Sequence, residues 1–422
     1  MILAKLYRND TALILIAIAL GLSLGILRPE LAVQMKPLSD AFLGVIGHAV
    51  PLVMFVLVAS AVSAFGERGQ HTRCAGRVVV YFLMMAVFSL ITGAGAGWLL
   101  APGAEALPLT GSTVRPLSDL PTAVLTSLVQ VISHTLILPV LLAALLFGLG
   151  LGRAGDAGEP LRRRLDTCVD WLLKALRMVL RFAPLAAFGA MAYTVGRYGP
   201  ASAWPLLKFV GTVYFACVLF LVVVLGVVAR LAGVGLFRLI AYIRDELCLV
   251  AFTGASVAAV PGLIEKLERA GCARRVVRLV LSTGYTFNLA GSNIYVTCAA
   301  VFLAQLAGAT LDVAHVLSLL LVALLTSLGS TSAAGSAFLT LTATVAGLNL
   351  VPLEALGLLL GVERLMKCRS LTNVIGNTLA SVVISAWSGA LDRSALREAL
   401  MPCRQAAFPG AVVGKRRGRA TS

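Results

Sequence analysis

Glu363-Arg-Leu-Met-Lys-Cys-Arg-Ser-Leu-Thr-Asn-Val-Ile-Gly-Asn377 lies inside the last long apolar run of the chain, from Leu353 to Trp387. The run is apolar enough to enter a bilayer. Yet it carries Glu363, Arg364, Lys367 and Arg369, and then Thr372, Asn373 and Asn377. Ionisable groups at membrane depth are costly and survive where they face a cavity, a partner or a bound molecule. Arg369, Thr372, Asn373, Gly376 and Asn377 stand at i, i+3, i+4, i+7 and i+8, so they share one helical face. That face offers one fixed positive charge, amide and hydroxyl groups, and a glycine where another backbone can come close. It suits a carboxylate.

The rest of the composition agrees with a membrane setting. Of the 422 residues, 59% are hydrophobic and 13% charged, and mean hydropathy is +0.94. A soluble domain carries about 25% charged residues. Several runs approach the roughly 20 apolar residues that span a bilayer. They are continuous rather than alternating, which argues for an all-α membrane protein and against a β-barrel. The net charge of +16 is read as positive-inside bias, not as a nucleic-acid footprint. The eight cysteines (Cys74, Cys168, Cys217, Cys248, Cys272, Cys298, Cys368, Cys403) are scattered singly, with no zinc-like spacing, and read as small hydrophobes. Lys5 and Arg8 precede an apolar run without a small-residue cleavage site, so that run is expected to be an uncleaved first span.

In chain order, spans are expected over about Thr11–Leu27, Phe42–Phe65 and Val78–Leu100. A polar loop with Lys36, Pro37 and Asp40 separates the first two. The third carries Gly93, Gly95 and Gly97, a small-residue face for close packing. Leu125 to Leu151 reads as two segments meeting at a kink around Ser133, His134, Thr135 and Pro139; His134 is either a proton relay or simply hydrogen-bonded. A basic loop with Arg153, Arg162, Arg163 and Arg164 leads to a fifth span, about Asp170–Val195, whose Lys174, Arg177 and Arg181 snorkel to headgroups. A sixth span covers about Leu206–Ala232.

The last third behaves differently. Leu247–Ile264 holds Thr253, Gly254, Ser256 and Pro261 and reads as a re-entrant hairpin with its tip near Ser256. A charged turn follows, from Glu265 to Arg278. The seventh span, Leu279 to about Leu306, is interrupted from Thr283 to Ser292. Val316–Leu350 is split at Ser327–Ser336 and forms a second hairpin. The eighth span holds the stretch quoted first. Paired interrupted segments in corresponding positions point to a transporter site at the bilayer midplane. Five basic residues (Arg28, Lys36, Arg115, Arg197, Lys208) fall on one side of this layout. Three lie in the last span, and all the others fall on the opposite side. That asymmetry places both termini in the cytoplasm, with eight spans, two hairpins and a disordered basic tail from about 392 to 422. No membrane-depth metal set or nucleophile dyad suggests an enzyme.

Three stretches carry a likeness: Phe182 to Gly199; Thr283-Gly-Tyr-Thr-Phe-Asn-Leu289 leading into Ile294 to Gln305; and Arg369-Ser-Leu-Thr-Asn-Val-Ile-Gly-Asn377. Together they resemble the dicarboxylate/amino acid:cation symporters of the glutamate-transporter superfamily, most nearly its bacterial C4-dicarboxylate branch. The likeness runs from the first span to about Leu391. It implies an inverted-repeat elevator fold assembled as a homotrimer in the bacterial inner membrane. A scaffold (spans one, two, four and five) would surround a transport unit (spans three and six, hairpins at about 247–270 and 316–350, spans seven and eight). It implies dicarboxylate uptake driven by sodium or protons, with no other cofactor. Arg369 matches the substrate-carboxylate arginine and Asn373 the substrate-binding asparagine, with Thr372 beside them. Ser256 and the Ala333–Gly335 stretch would offer hairpin-tip N–H groups, and Ser292 replaces a threonine. Gly284, Asn288, Asn373 and Asn377 fall where the family holds one sodium ion.

The departures shape the expectation. Met366 stands where amino-acid members carry an acidic residue, which favours dicarboxylates. Ala290 replaces a cation-binding aspartate, and the polar pair expected in the third span reads Ala86 and Val87. The run from Glu363 to Arg369 is one residue short, which would rotate Glu363 by about 100° relative to Arg369. Fewer coupling ions, an exchanger, a uniporter, an anion pathway or a degenerate paralogue stand as alternatives to symport. Arg369 itself is read as binding substrate, against a salt bridge to Glu363 or a hairpin carbonyl. Asn288 either stabilises the interrupted span or binds the ion. Tyr295 and Thr297 are read as packing.

Overall fold

A computed structural model describes residues 10–68, 72–104, 137–200, 203–254, 256–308, 311–328, 330, 336–348, 356–363 and 365–401. The described chain is helical. The first half contains α1 (Asp10–Leu27), α2 (Pro29–Val33), α3 (Lys36–Arg68), α4 (Thr72–Leu100), α5 (Ile137–Arg153), α6 (Glu159–Leu180) and α7 (Ala183–Tyr198). The second half contains α8 (Ala203–Leu219), a π-helical turn (Phe220–Leu225), α9 (Gly226–Leu231), α10 (Leu236–Tyr242), α11 (Arg244–Thr253) and α12 (Val260–Arg269). It continues through α13 (Arg274–Phe287), α14 (Ala290–Leu306), α15 (Val313–Ser327), α16 (Ser336–Leu348), α17 (Gly357–Glu363), α18 (Lys367–Trp387) and α19 (Arg393–Ala399). By length and composition, Gly76–Leu100, Trp204–Leu231 and Arg274–Leu306 suffice to cross a membrane.

α14 is the centre of the molecule and is buried along nearly its whole length. α4, α8, α16 and α18 pack around it, while α1 and α3 pack on α7 and α5 on α3. Aromatic stacking joins α8 to α14, with the Phe209 and Phe302 ring centroids 4.7 Å apart. The outer surface is apolar, as lipid contact requires. All four tryptophans (Trp98, Trp171, Trp204 and Trp387) are exposed, and Trp98, Trp204 and Trp387 stand at helix ends.

Several expected boundaries are corrected. Lys36, Pro37 and Asp40 are not in a loop but at the start of α3, where Lys36 pairs with Asp40 at 3.1 Å. Arg162, Arg163 and Arg164 likewise belong to α6, where Glu159 pairs with Arg163 at 2.9 Å. The single fifth span divides into α6 and α7. Pro184 has no N–H for the Leu180 carbonyl and its ring crowds that oxygen, so the helix restarts at Ala183. The charged turn shrinks to residues 270–273, since Glu265–Arg269 end α12 and Arg274–Arg278 begin α13. The tail is helical over α19, capped by the Asp392 carboxylate accepting from the Ser394 and Ala395 N–H groups. His134 and the expected kink at 133–135 lie outside the described residues.

The stretch expected as the first hairpin is helix–turn–helix. α11 stops at Gly254, which takes a left-handed φ of 71°. A short 3-10 turn at Ser256–Ala259 then leads into α12. At the hairpin's open end the Lys266 ammonium donates to Glu246 at 2.7 Å and Asp245 at 3.2 Å. Burial works against that charge, but the two carboxylates outweigh it and raise the Lys266 pKa.

The glycine face of α4 is narrower than the sequence suggests. A Cβ at Gly93 would overlap the Ile294 carbonyl oxygen and the Thr297 hydroxyl, and one at Gly97 would press on Val301 at 3.2 Å. Gly95 faces open space. The contact therefore follows i, i+4, the spacing of one helical stripe. Gly93→Val should destabilise the protein by about 1–3 kcal/mol, read as a lower melting temperature in detergent, whereas Gly95→Ala should leave melting unchanged. Equal tolerance at both positions would show that α4 and α14 do not approach this closely.

Candidate functional site

The site forms where the interrupted span crosses α18. Helical pairing stops at Phe287, and Asn288 (φ −124°, ψ 64°) and Leu289 (φ −102°, ψ 59°) carry the chain to α14. Such irregular backbone needs polar partners within the protein. α18 supplies them. The Asn373 side-chain oxygen accepts from the Gly291 N–H at 2.8 Å, and its amide donates to the Ser292 hydroxyl at 3.2 Å. The Asn288 amide donates to Asn377 Oδ1 at 3.0 Å, and the Asn377 amide donates back to the Asn288 carbonyl at 3.3 Å. Glycine is required on the facing side. A Cβ at Gly291 would overlap the Arg369 carbonyl, and one at Gly284 would overlap Asn377 Oδ1. Gly376, by contrast, meets only a Leu225 methyl at 4.0 Å, so it is not a point of close backbone approach.

Arg369 lies one turn earlier. Its side chain is only 12% exposed and its guanidinium donates through both terminal nitrogens to Glu363 Oε1, each at 3.2 Å. The quoted stretch is not one helix: α17 ends at Glu363 and α18 begins at Lys367. Glu363, the last residue of α17, pairs with the arginine across that interval. The guanidinium carbon also stands 5.0 Å from the centroid of the Tyr295 ring, a cation–π distance. Tyr295 therefore does more than pack. Thr297, by contrast, ties α14 to α4 by donating to the Leu90 carbonyl at 3.0 Å. Met366, at 2% exposure, adds no charge beside the arginine.

The first hairpin docks here. The Ser370 hydroxyl donates to the Gly254 carbonyl at 2.9 Å, and the turn bearing buried Ser256 packs on α18. No side-chain bond joins Ser256 to Arg369 or Asn373 among the described residues. Ala333 and Gly335 of the second tip lie outside the described residues. Thr372 is buried at 0% exposure with its hydroxyl unpartnered.

The residues matched to the sodium position do converge: Gly284, Asn288 and Asn377 touch, with Asn373 one turn away. Asn288 Oδ1 is buried without a hydrogen-bond partner, an oxygen free to face a small hard cation. The position of the absent carboxylate, Ala290, is buried and apolar. Val87 points outward, and the polar group that α4 turns inward is Ser89, which accepts from the Asn293 amide at 3.2 Å. Sequence reading missed Ser89, Ser370 and Gly291. The 3.6-residue phase would have found Ser89, three residues beyond Ala86 on the same face. A separate cavity of about 260 Å³, lined by residues including Phe82, Ala86, Phe287 and Ser327, carries no charge and lies apart from Arg369.

The sodium:dicarboxylate symporter family matches residues 11–387. The chain belongs to this family. It is 40% identical to C4-dicarboxylate transport proteins of Paraburkholderia phymatum, Paraburkholderia xenovorans and Burkholderia multivorans, each over 402 residues, covering 92% of this chain and 94% of the relative. It is thus a multi-pass membrane transport protein and not an enzyme.

The clasp around the break gives a direct expectation. Gly291→Val should force α14 away from the Arg369 carbonyl and abolish ligand binding, while Gly376→Ala should preserve it; fluorescence-detected gel filtration separates lost binding from lost folding. Binding retained in Gly291→Val would show that the crossing tolerates a side chain.

Proposed function

We propose that this protein is a secondary active symporter that imports C4-dicarboxylates of the succinate, fumarate and malate type. The carrying observation is Arg369, a largely buried guanidinium, 12% exposed, between Tyr295, Glu363 and the asparagine clasp. One substrate carboxylate would take the guanidinium, with Asn373 and Thr372 beside it. The other would take N–H groups at the hairpin tips, near Ser256 and at Ala333 to Gly335, with Ser292 lining the floor. Names of the relatives support the substrate class. Met366 supports it too, because an amino-acid substrate would leave its ammonium without a counter-charge. Glu363 neutralises the arginine while no substrate is bound, so a carboxylate entering the site substitutes for, or shares, an existing pair.

The coupling ion is sodium or a proton. Sodium would use Gly284, Asn288, Asn373 and Asn377, with the orphaned Asn288 oxygen as the observation in its favour. The remaining parts of the reading follow the family. α4, the α8–α9 helix, the two hairpins, α13, α14 and α18 form a transport unit that moves as an elevator against a scaffold. The assembly is a homotrimer in the bacterial inner membrane, eight spans and two hairpins per subunit, both termini cytoplasmic. The basic face of α6 meets anionic lipid headgroups. Uncharged Ala290 favours one alternative, an exchanger, uniporter or anion pathway with altered coupling.

Proteoliposomes decide between them. Labelled succinate should accumulate only under an inward sodium or proton gradient, and uptake that ignores both gradients would leave the alternative. Arg369→Ala should weaken succinate binding by about 100-fold or more, the loss expected when one partner of a buried charge-assisted contact is removed. Unchanged affinity would mean that the arginine serves only Glu363.

A further inference from the structure

A dicarboxylate brings two negative charges to an arginine that is already neutralised. Among the described residues only two carboxylates are buried, Glu246 and Glu363. Glu246 belongs to the open end of the first hairpin, where Lys266 donates to it at 2.7 Å. Glu363 stands at the site. Its Oε1 accepts from both terminal nitrogens of Arg369 at 3.2 Å, and among the described residues it has no other hydrogen-bond or ion-pair partner. The surrounding helices offer no replacement cation. α1, α3, α7 and α8 pack on α17. α1 carries no ionisable side chain after Asp10. α3 brings Lys36, paired with Asp40 at 3.1 Å, and His48, bonded to the Gly44 carbonyl at 2.7 Å. α7 brings Tyr193 and exposed Arg197. α8 brings Lys208, Cys217 and Tyr214, whose hydroxyl donates to the Leu365 carbonyl at 2.8 Å. On α18, Lys367 turns to the hairpin tip, its Nζ 3.0 Å from where a Cβ on Gly254 would stand. α14 presents Tyr295 to the guanidinium. None of these groups bonds to Glu363.

We propose that Glu363 takes up a proton as the dicarboxylate binds and carries it across the membrane with the substrate. A substrate carboxylate that takes or shares the guanidinium fork leaves Glu363 without its counter-charge. A buried carboxylate stripped of its cation is costly, and it is neutralised by a proton rather than left charged. The proton comes from water on the side that the site faces and rests on the released Glu363 carboxyl. It returns to water on the other side when the substrate leaves and Arg369 recovers the carboxylate. Ala290 strengthens the assignment, because where the resemblance implies an aspartate the site is buried and apolar, and Glu363 is the one carboxylate beside Arg369 among the described residues. Sodium at the Asn288 oxygen would be a separate charge and leaves this account unchanged. The proposal rests on Arg369 being the substrate-carboxylate residue.

The test uses the full-length protein in detergent at neutral and mildly alkaline pH, where succinate is a dianion. Calorimetry of succinate binding is repeated in buffers of different ionisation enthalpy, which counts the protons exchanged. The expected result is uptake of up to about one proton per succinate. Because binding then consumes a proton, rising pH opposes it, and Kd should rise by as much as about tenfold per pH unit. Glu363→Gln holds the neutral form permanently, so its binding should take up no proton and its Kd should no longer rise with pH. Infrared difference spectra of the wild-type protein, recorded with isotope-labelled succinate so that the ligand's own bands shift, should show a new protonated-carboxyl band on binding. That measurement stands even if Glu363→Gln fails to fold. Succinate bound without proton uptake, no new protonated-carboxyl band, or uptake that persists in Glu363→Gln overturns the proposal. Wild-type protein that binds no succinate at any pH overturns the reading of Arg369 itself and removes the proton carrier with it.

Discussion

A helix interrupted at membrane depth must find partners for its freed N–H and C=O groups inside the protein. Here the interruption at Asn288–Leu289 finds them on α18. Two asparagines four residues apart on one face, Asn373 and Asn377, bond to the backbone and side chains on either side of the break. Everything at the site follows from that clasp. It sets the depth of α14 against α18, and glycine at 284 and 291 allows the approach. It leaves Arg369 one turn up, above the Tyr295 ring. The same amides that hold the break leave the Asn288 oxygen without a hydrogen-bond partner.

The arginine is held in turn by the residue that ends the preceding helix. α17 closes at Glu363, whose carboxylate accepts from the guanidinium. At 7% side-chain exposure the carboxylate is more buried than its partner. Pairs of this kind contribute little net stability, yet are costly to break from one side. Their value here is positional: the guanidinium is held in one orientation.

Much of this was legible in the residues. The polar face of α18 followed from spacing alone, since Arg369, Thr372, Asn373 and Asn377 recur at helical intervals. The interruption between Thr283 and Ser292 and the hairpin turn at Gly254 followed from glycine, asparagine and serine placed inside apolar runs. Other features were not legible. Arg162 to Arg164 read as a loop because charge density was mistaken for a turn, whereas the helix there is amphipathic. Tyr295 read as packing because its partner lies far along the chain. The bond from Ser370 to Gly254 is a tertiary fact that no local pattern encodes. Ala86 and Val87 misdirected attention from Ser89, because matching by position overlooked the inward phase of the helix.

The tryptophans carry a final consequence. All four indoles lie on the outside of the protein, most of them at helix ends, where amphipathic rings settle at the membrane–water boundary. The core around α14 and the asparagine clasp contains none. Intrinsic emission is therefore a report on the bilayer and not on the site. It will respond to headgroup chemistry, to brominated acyl chains and to any change in the depth of these helix ends, while events confined to the polar centre pass unseen unless they move the whole body of helices through the membrane.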